Sequence, residues 1–525
     1  MFPQPGLHDV FYLILLYLAP KYPDGPDLDV VSVDDTPNSR SARRDLACLA
    51  RSHTSFTRPA LAVLWRSLPS QKPLEHLLCT VGIAQRPPGS GRDGQSLEMR
   101  RTPETHRAGW VRFQEYASLV RKIVLDPLTD NPCMPAGRLQ DTFWSQLSSF
   151  SHPQPILPRL ERAAIRNAKI PRFTVDDGVL CLLNSSIREL DIRLVFPQAT
   201  LLPREPTPLE KALATCIASI KSLEVLSIDV PNLALVVDLE SLPRSHPRLR
   251  YLKLINGASS LEPSLRPLAA LPNLKYLHTN LCRSERVTVP IRGPITIAGL
   301  RTLAVSCYEV SAISSLLDRV KAPRLSTFSV CKMYRDRNHA GPLAAQELSR
   351  HLRTLVANCP SLIAFEWRTK STLVDPTTAR RVGTLSGRRS EASLAEFFAP
   401  LLSHRTMQRF SVQSSAGGPA VPFTLADFRA IAEAWPDLET LHLHDQDDND
   451  YGDSKGVGSS ASTGTGRRWE RAPRCAADLE CVFALARGCP RLRVLHIGRM
   501  EFAAGAFGSN LARCPPEPHH ALREL

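Results

Sequence analysis

One short pattern recurs along this chain at a nearly constant step, and it limits the fold more than any other feature. Arg491–Gly498 reads RLRVLHIG, which is Leu492-x-x-Leu495-x-Ile497, with Pro490 two residues ahead of it. The same arrangement starts at Leu249, Leu274, Leu325, Leu362 and Leu438, each two residues after a proline. Copies without the proline start at Ile187, Leu223, Leu300 and Met407, and weaker ones at Val120 and Leu160. Successive first positions at 223, 249, 274, 300 and 325 are 26, 25, 26 and 25 residues apart. Triplets arising by chance in a leucine-rich chain would not keep that step. Self-similarity of this kind marks a repeat architecture.

Each unit reads as one short strand, a polar turn and a helical or irregular return. A single unit cannot bury its own apolar side, whereas stacked units bury a continuous core and pair their strands in parallel. The pattern resembles leucine-rich repeats of the intracellular type, with helical returns at about 25–27 residues per unit. The expected fold is therefore α/β: a solenoid over residues 119–525 with a parallel sheet on its concave face and helices on its convex face. Helical returns are expected at Leu209–Ile220, Val310–Val320, Pro342–Asn358, Leu394–Leu402, Leu425–Trp435 and Ala476–Gly488. Ser393-x-x-Glu396 and Thr424-x-x-Asp427 are capping signals just before apolar runs.

Residues ahead of the repeats have another period. Leu7, Val10, Phe11, Ile14, Leu15 and Leu18 follow helical spacing, and Tyr12, Leu13, Leu16 and Tyr17 make that helix apolar nearly all round. No basic residue precedes this run and no small-residue cleavage site follows it, so it does not read as a signal peptide. Pro20–Arg44 is polar, rich in Asp and Pro, and reads as a flexible loop. Structure resumes at Asp45, with Leu46, Leu49 and Phe56 marking one helix. Leu61, Leu64, Trp65 and Leu68 mark the next, with Pro59 where it would start.

Residues 7–68 resemble an F-box, most closely those of the expanded fungal F-box families. The matching positions are Leu7, Val10, Phe11, Ile14 and Leu18, then Asp45, Leu46, Leu49, Phe56, Pro59, Ala60, Leu61, Leu64, Trp65 and Leu68. His8 stands where the family has proline, and Ser52-His53-Thr54 replaces its apolar-Cys-basic run. The resemblance implies an F-box-like helical domain over 1–80, a linker and junction helix over 81–118, and then the repeats. It implies a substrate-recognition subunit of an SCF-type (cullin–RING) ubiquitin ligase, with a Skp-type adaptor and cullin as partners. Leu7, Val10, Phe11, Ile14, Leu18, Leu46, Leu49, Leu61 and Trp65 would supply both the domain's core and the adaptor contact; the sequence does not separate the two roles. The alternative is a repeat scaffold that binds protein outside any ligase.

Ala84–Gly109 reads as a loop. Its Gly89-Ser-Gly91-Arg-Asp-Gly94 lacks the strand and helix that a dinucleotide site needs. Trp110–Leu125 reads as a junction helix carrying Trp110, Phe113 and Tyr116, followed by the first repeat strand. The repeat is interrupted at Thr369–Arg389 and at Asp445–Arg474, the second stretch acidic and then Gly/Ser/Thr-rich, with 445–474 expected to be disordered. Ala521–Leu525 reads as the start of another strand, so either the protein continues or a partner covers this end.

Chemistry is sparse. There is no Walker sequence, HExxH, GxSxG or CxxC pair, so no catalytic residue, metal ligand or cofactor is assigned and an enzyme is not expected. The net charge of +14 permits an acidic partner. Basic residues are not interleaved with aromatics in a stripe, so nucleic acid is not favoured. The 13 cysteines form no framework, and no apolar run is long enough to cross a membrane. The expected setting is cytoplasmic or nuclear.

Strand alternation sends residues between the leucines to the concave face. There we expect target-protein binding by Tyr251, Lys253, Tyr276, His278, Glu366, Arg368, Arg409, His442, His444 and His496, in a polar ladder that includes Asp191, Arg193, Ser227 and Ser411. His442, His444 and His496 would be neighbours, with His442 and His496 about one strand spacing, ~4.8 Å, apart. Imidazoles so placed can bind a metal or sense pH, but no carboxylate can be placed behind them.

Overall fold

The computed structural model describes residues 12, 14, 15, 37–85, 97–99, 106–125, 143–151, 155–166, 177–194, 208–230, 236–255, 265–281, 294–307, 310–334, 343–370, 393–415, 423–446 and 479–497. They fall into two compact units, Met1–Ser259 with Leu271–Asn273, and Ser260–Ala270 with Leu274–Leu525.

The first unit contains α1 (Pro37–Ser52), α2 (Thr54–Arg66), β1 (Ser67–Leu68), α3 (Lys72–Thr80), β2 (Ala84–Gln85), β3 (Glu98–Met99), α4 (Arg107–Ala117) and β4 (Lys122–Leu125). It continues with α5 (Phe143–Ser151), β5 (Arg162–Arg166), a 3-10 turn at Asp177–Leu182, β6 (Glu189–Arg193), α6 (Pro208–Ser219), β7 (Val225–Asp229), α7 (Leu242–Ser245) and β8 (Tyr251–Ile255). Strands β1, β4, β5, β6, β7 and β8 pair in that order, all parallel.

The second unit contains α8 (Leu265–Leu268), β9 (Tyr276–Leu281), β10 (Ile295–Thr296), β11 (Thr302–Cys307), α9 (Val310–Arg319), β12 (Val320–Lys321), β13 (Thr327–Tyr334) and α10 (Leu343–Asn358). Then come β14 (Ala364–Lys370), α11 (Leu394–Leu402), β15 (Arg409–Ser415), α12 (Leu425–Ala434), β16 (Thr440–Gln446), α13 (Leu479–Gly488) and β17 (Val494–Ile497). Here β9, β11, β13, β14, β15, β16 and β17 pair in parallel in that order, and β10 pairs with β12 alongside. The α/β class and the long parallel sheet expected from the repeat are thus present.

Each strand opens two residues after the first position of its repeat: Val225 follows Leu223, Tyr251 follows Leu249, Thr302 follows Leu300 and Val494 follows Leu492. The reason is a turn at the first leucine. Its N–H donates to the carbonyl three residues back: Leu249 to His246 at 3.1 Å, Leu362 to Cys359 at 3.2 Å, Leu438 to Trp435 at 3.1 Å and Leu492 to Cys489 at 3.1 Å. The repeated proline takes the second place of that turn, where its fixed φ is already correct. The carbonyl just before a repeat strand can then accept from two N–H groups of the next repeat, as Arg301 O does from Ser326 at 2.8 Å and Thr327 at 2.9 Å. Side chains at these junctions form ion pairs such as Arg162–Glu189 at 2.6 Å, but both partners are partly exposed, so each pair adds little stability.

Cysteines close two of those turns. Burial pushes the thiols of Cys359 and Cys489, and of Cys307 in β11, up to about 12, so none is a thiolate nucleophile at neutral pH. His246 occupies the same turn position ahead of β8. It is 1 % exposed, and its Nδ1–H donates to Ile220 O at 3.0 Å. Burial lowers its pKa below the ordinary 6.5, the Ile220 hydrogen bond opposes that, and Lys221 adds to it. The unfolded chain therefore binds this proton first. Stability is whole above about pH 6.5 and is lost as pH falls from there to the lowered folded value, at up to ~1.4 kcal/mol per pH unit. Denaturant midpoints above and below that range should fall more steeply in the wild type than in His246→Asn; equal slopes would count against it.

The structure corrects several local expectations. The loop expected over 20–44 gives way to helix at Pro37, eight residues before Asp45. Proline suits a helix start, and the helix opens PNSRSARR, with no large apolar side chain before Leu46, so its first turns carry no apolar period. Phe56 belongs to α2, because the helix starts at Thr54, where His53 Nδ1 caps it by accepting from Ser55 N–H at 3.1 Å. Pro59 then lies inside α2; it leaves Ser55 O without that intrahelical donor, on a residue exposed to water. Leu68 is not helical: it pairs with Ile123, so the helical region and the first repeats share one sheet and one unit. Within 84–109, β2 and β3 pair antiparallel. Asp445 and Gln446 continue β16 instead of opening the insertion. Residues 89–94, 371–389, 447–474 and 521–525 lie outside the described residues. Among the described residues, no helix is long and apolar enough to cross a membrane.

Candidate functional site

Two surfaces correspond to the expected partner contacts. The first is built by the N-terminal helices. Leu15, Leu46, Ala50, Ala60 and Val63 form one buried cluster, with Tyr12, Leu49, Leu61 and Leu64 half-buried against it. Arg66 Nη1 donates to Tyr12 Oη at 3.2 Å, and Arg43 Nη2 donates to Ser67 O at 2.7 Å, which ties α1 and the helical residues near Leu15 to the end of α2. The nine candidate adaptor residues are sorted by this packing. Leu46 is core, at 2 % exposed, and Leu49 and Leu61 are half-buried. Trp65 turns to Tyr116 of α4, ring centroids 5.1 Å apart. Ile14 faces out at 49 % exposed. Leu7, Val10, Phe11 and Leu18 lie outside the described residues.

The second surface is the sheet face that carries the residues between the leucines. It is not uniformly open. In the first unit Tyr251 and Lys253 are 4 % and 2 % exposed, so their side chains are not on offer as contact surface. Two strands away on β6, Asp191 is 3 % exposed and clamped between two guanidiniums: Arg166 Nη2 donates to Oδ2 at 2.9 Å and Arg193 Nε to Oδ1 at 3.3 Å. Arg166 was missed by the sequence list. Its signal was the alternation Arg162, Ala164, Arg166 after Leu160, in one of the weaker repeats.

In the second unit His278 is 3 % exposed, with Nε2 3.1 Å from Ser306 Oγ, so it too is withdrawn from the surface. Tyr276 is half-buried. Glu366 accepts from Ser329 Oγ at 3.2 Å and from Arg368 Nη2 at 3.4 Å, and Arg368 and Arg409 are exposed. His442 is half-buried and opposite His496, which is exposed; their ring centroids are 4.6 Å apart. His444 lies in β16 opposite Gln413. The open, polar part of the described face is therefore β14 to β17.

Set against known proteins, no family model matches this chain and no curated protein matches it.

Proposed function

We propose that this chain is a non-catalytic adaptor, the substrate-recognition subunit of an SCF-type ubiquitin ligase. The N-terminal helices hold a Skp-type adaptor, the sheet face holds a target protein, and the cullin-borne enzyme acts on that target by proximity. The observation that carries this reading is the split between two adjacent residues: Leu15 is 2 % exposed in the helical cluster while Ile14 is 49 % exposed. An apolar side chain turned outward, with half-buried Tyr12, Leu49, Leu61 and Leu64 on the same cluster, suits a helix shared with a partner.

The test is co-purification of the full chain with a Skp-type adaptor, beside Ile14→Asp. Deleting residues 1–68 is the poorer variant, because it also removes β1 from the edge of β4. We expect wild-type binding and a loss of about 30-fold in Ile14→Asp, the scale of an interface anchor. A folded wild type that ignores the adaptor would sink the ligase reading and leave a repeat scaffold that holds its partner on β14–β17.

A further inference from the structure

The histidines of the second unit's sheet face have no part in adaptor binding, and their geometry suggests a ligand of its own. We propose that His442 and His496 together seat one divalent transition-metal ion of the kind imidazole prefers (zinc, copper or nickel). This does not depend on whether the chain serves a ligase.

Three observations support the seat. First, β16 and β17 are parallel and in register at this point, with His442 opposite His496, so both rings stand on paired strands rather than on loops. Second, the ring centroids are 4.6 Å apart and the planes are tilted by 55°. Two imidazoles that share a tetrahedral ion, each nitrogen ~2.0–2.1 Å from it, have centroids about 5 Å apart. The observed spacing is thus close to the one a shared ion requires. Third, Ser411 faces His442 from β15, is 9 % exposed, and its Oγ is buried with no hydrogen-bond partner among the described residues. A water on the ion would donate to that oxygen, as outer partners of metal sites commonly accept.

Both rings also interact with other neighbours, which the ion would share or displace. Among the described residues no three His, Cys, Asp or Glu side chains form a metal-binding group, so the remaining positions fall to water or to a side chain brought by a bound partner. A site with open positions is the arrangement that lets a metal take an outside ligand.

The full chain, stripped with a chelator, would be titrated with copper(II) and with zinc near neutral pH by calorimetry. The variants are His442→Asn, His496→Gln, Ser411→Ala and, as a control on an exposed histidine elsewhere, His76→Gln. His496 is exposed, so its variant should keep the wild-type circular dichroism and unfolding midpoint. Outer partners of metal ligands are worth about 10–100-fold in affinity. We therefore expect about 100-fold weaker binding of one equivalent in His442→Asn and in His496→Gln, about 10-fold weaker binding in Ser411→Ala, and no change in His76→Gln. Wild-type protein that binds neither metal would overturn the proposal, as would a folded His496→Gln protein that keeps every equivalent at full affinity.

Discussion

The Phe365→Ala protein is expected to lose about 3–5 kcal/mol of stability, the scale for removing a fully buried aromatic ring. Phe365 is 0 % exposed, and it is the centre of a line of rings that crosses repeats within the second unit. Its centroid is 6.1 Å from Phe328 and 5.8 Å from Phe410, both stacked, and 5.7 Å from Phe398, which meets it edge-on. Phe410 continues the line to Trp435 at 4.9 Å. The pattern makes the reason plain. Phe328, Phe365 and Phe410 hold equivalent positions in repeats that start at Leu325, Leu362 and Met407, and register brings them side by side. In a repeat protein, stability is a sum of units and nearest-neighbour interfaces, so a hole at Phe365 weakens two interfaces at once. Denaturant unfolding followed by hydrogen exchange should show the loss in β13–β15 first. A shift under about 1 kcal/mol would mean that the ring line does not couple these repeats.

Asp427→Ala should cost about 2–4 kcal/mol, more than an ordinary cap, because one carboxylate serves two helices. Asp427 is 1 % exposed. Its Oδ2 accepts from Thr424 N–H at 2.7 Å and from Thr424 Oγ1 at 2.7 Å, which closes the capping box of α12. Its Oδ1 accepts from Ala395 N–H at 2.8 Å, in the first turn of α11. The carboxylate thus lies at two helix N-termini, where negative charge is favoured. The matching box at Ser393 and Glu396 is exposed, so Ser393→Ala should cost about 1 kcal/mol or less. Thermal midpoints of the two variants give the comparison, and equal shifts would remove the special role of Asp427.

The two boxes show how far local reading reaches. Both were legible from Ser393-x-x-Glu396 and Thr424-x-x-Asp427, since a box is made within four residues. The bond from Asp427 to Ala395 was not, since it spans 32 positions and depends on how two returns pack. Most helical returns were legible for the same local reason, as Leu394–Leu402 shows. The helix at Lys72–Thr80 was not, because its nine residues give the helical spacing of Leu74, Leu77 and Leu78 no second turn to repeat in. His53 replaced a family residue in the sequence match, and the structure assigns it a task, as the cap of α2.

Sequence alone determined where the repeat strands lie, that those strands are parallel, and that His442 meets His496, because repeated spacing and a two-residue alternation set each side chain's place on its own element. Tertiary structure decided what each place is worth. It turned Ile14 outward and Leu46 inward, although both sit on apolar helical faces, and it buried Tyr251, Lys253 and His278 on a face that alternation marks as outer. It also made Leu68 the first strand of a sheet instead of the end of a helix. The physical reason is the same in each case: periodicity tells which way a side chain points from its backbone, but exposure depends on what the rest of the chain lays over it.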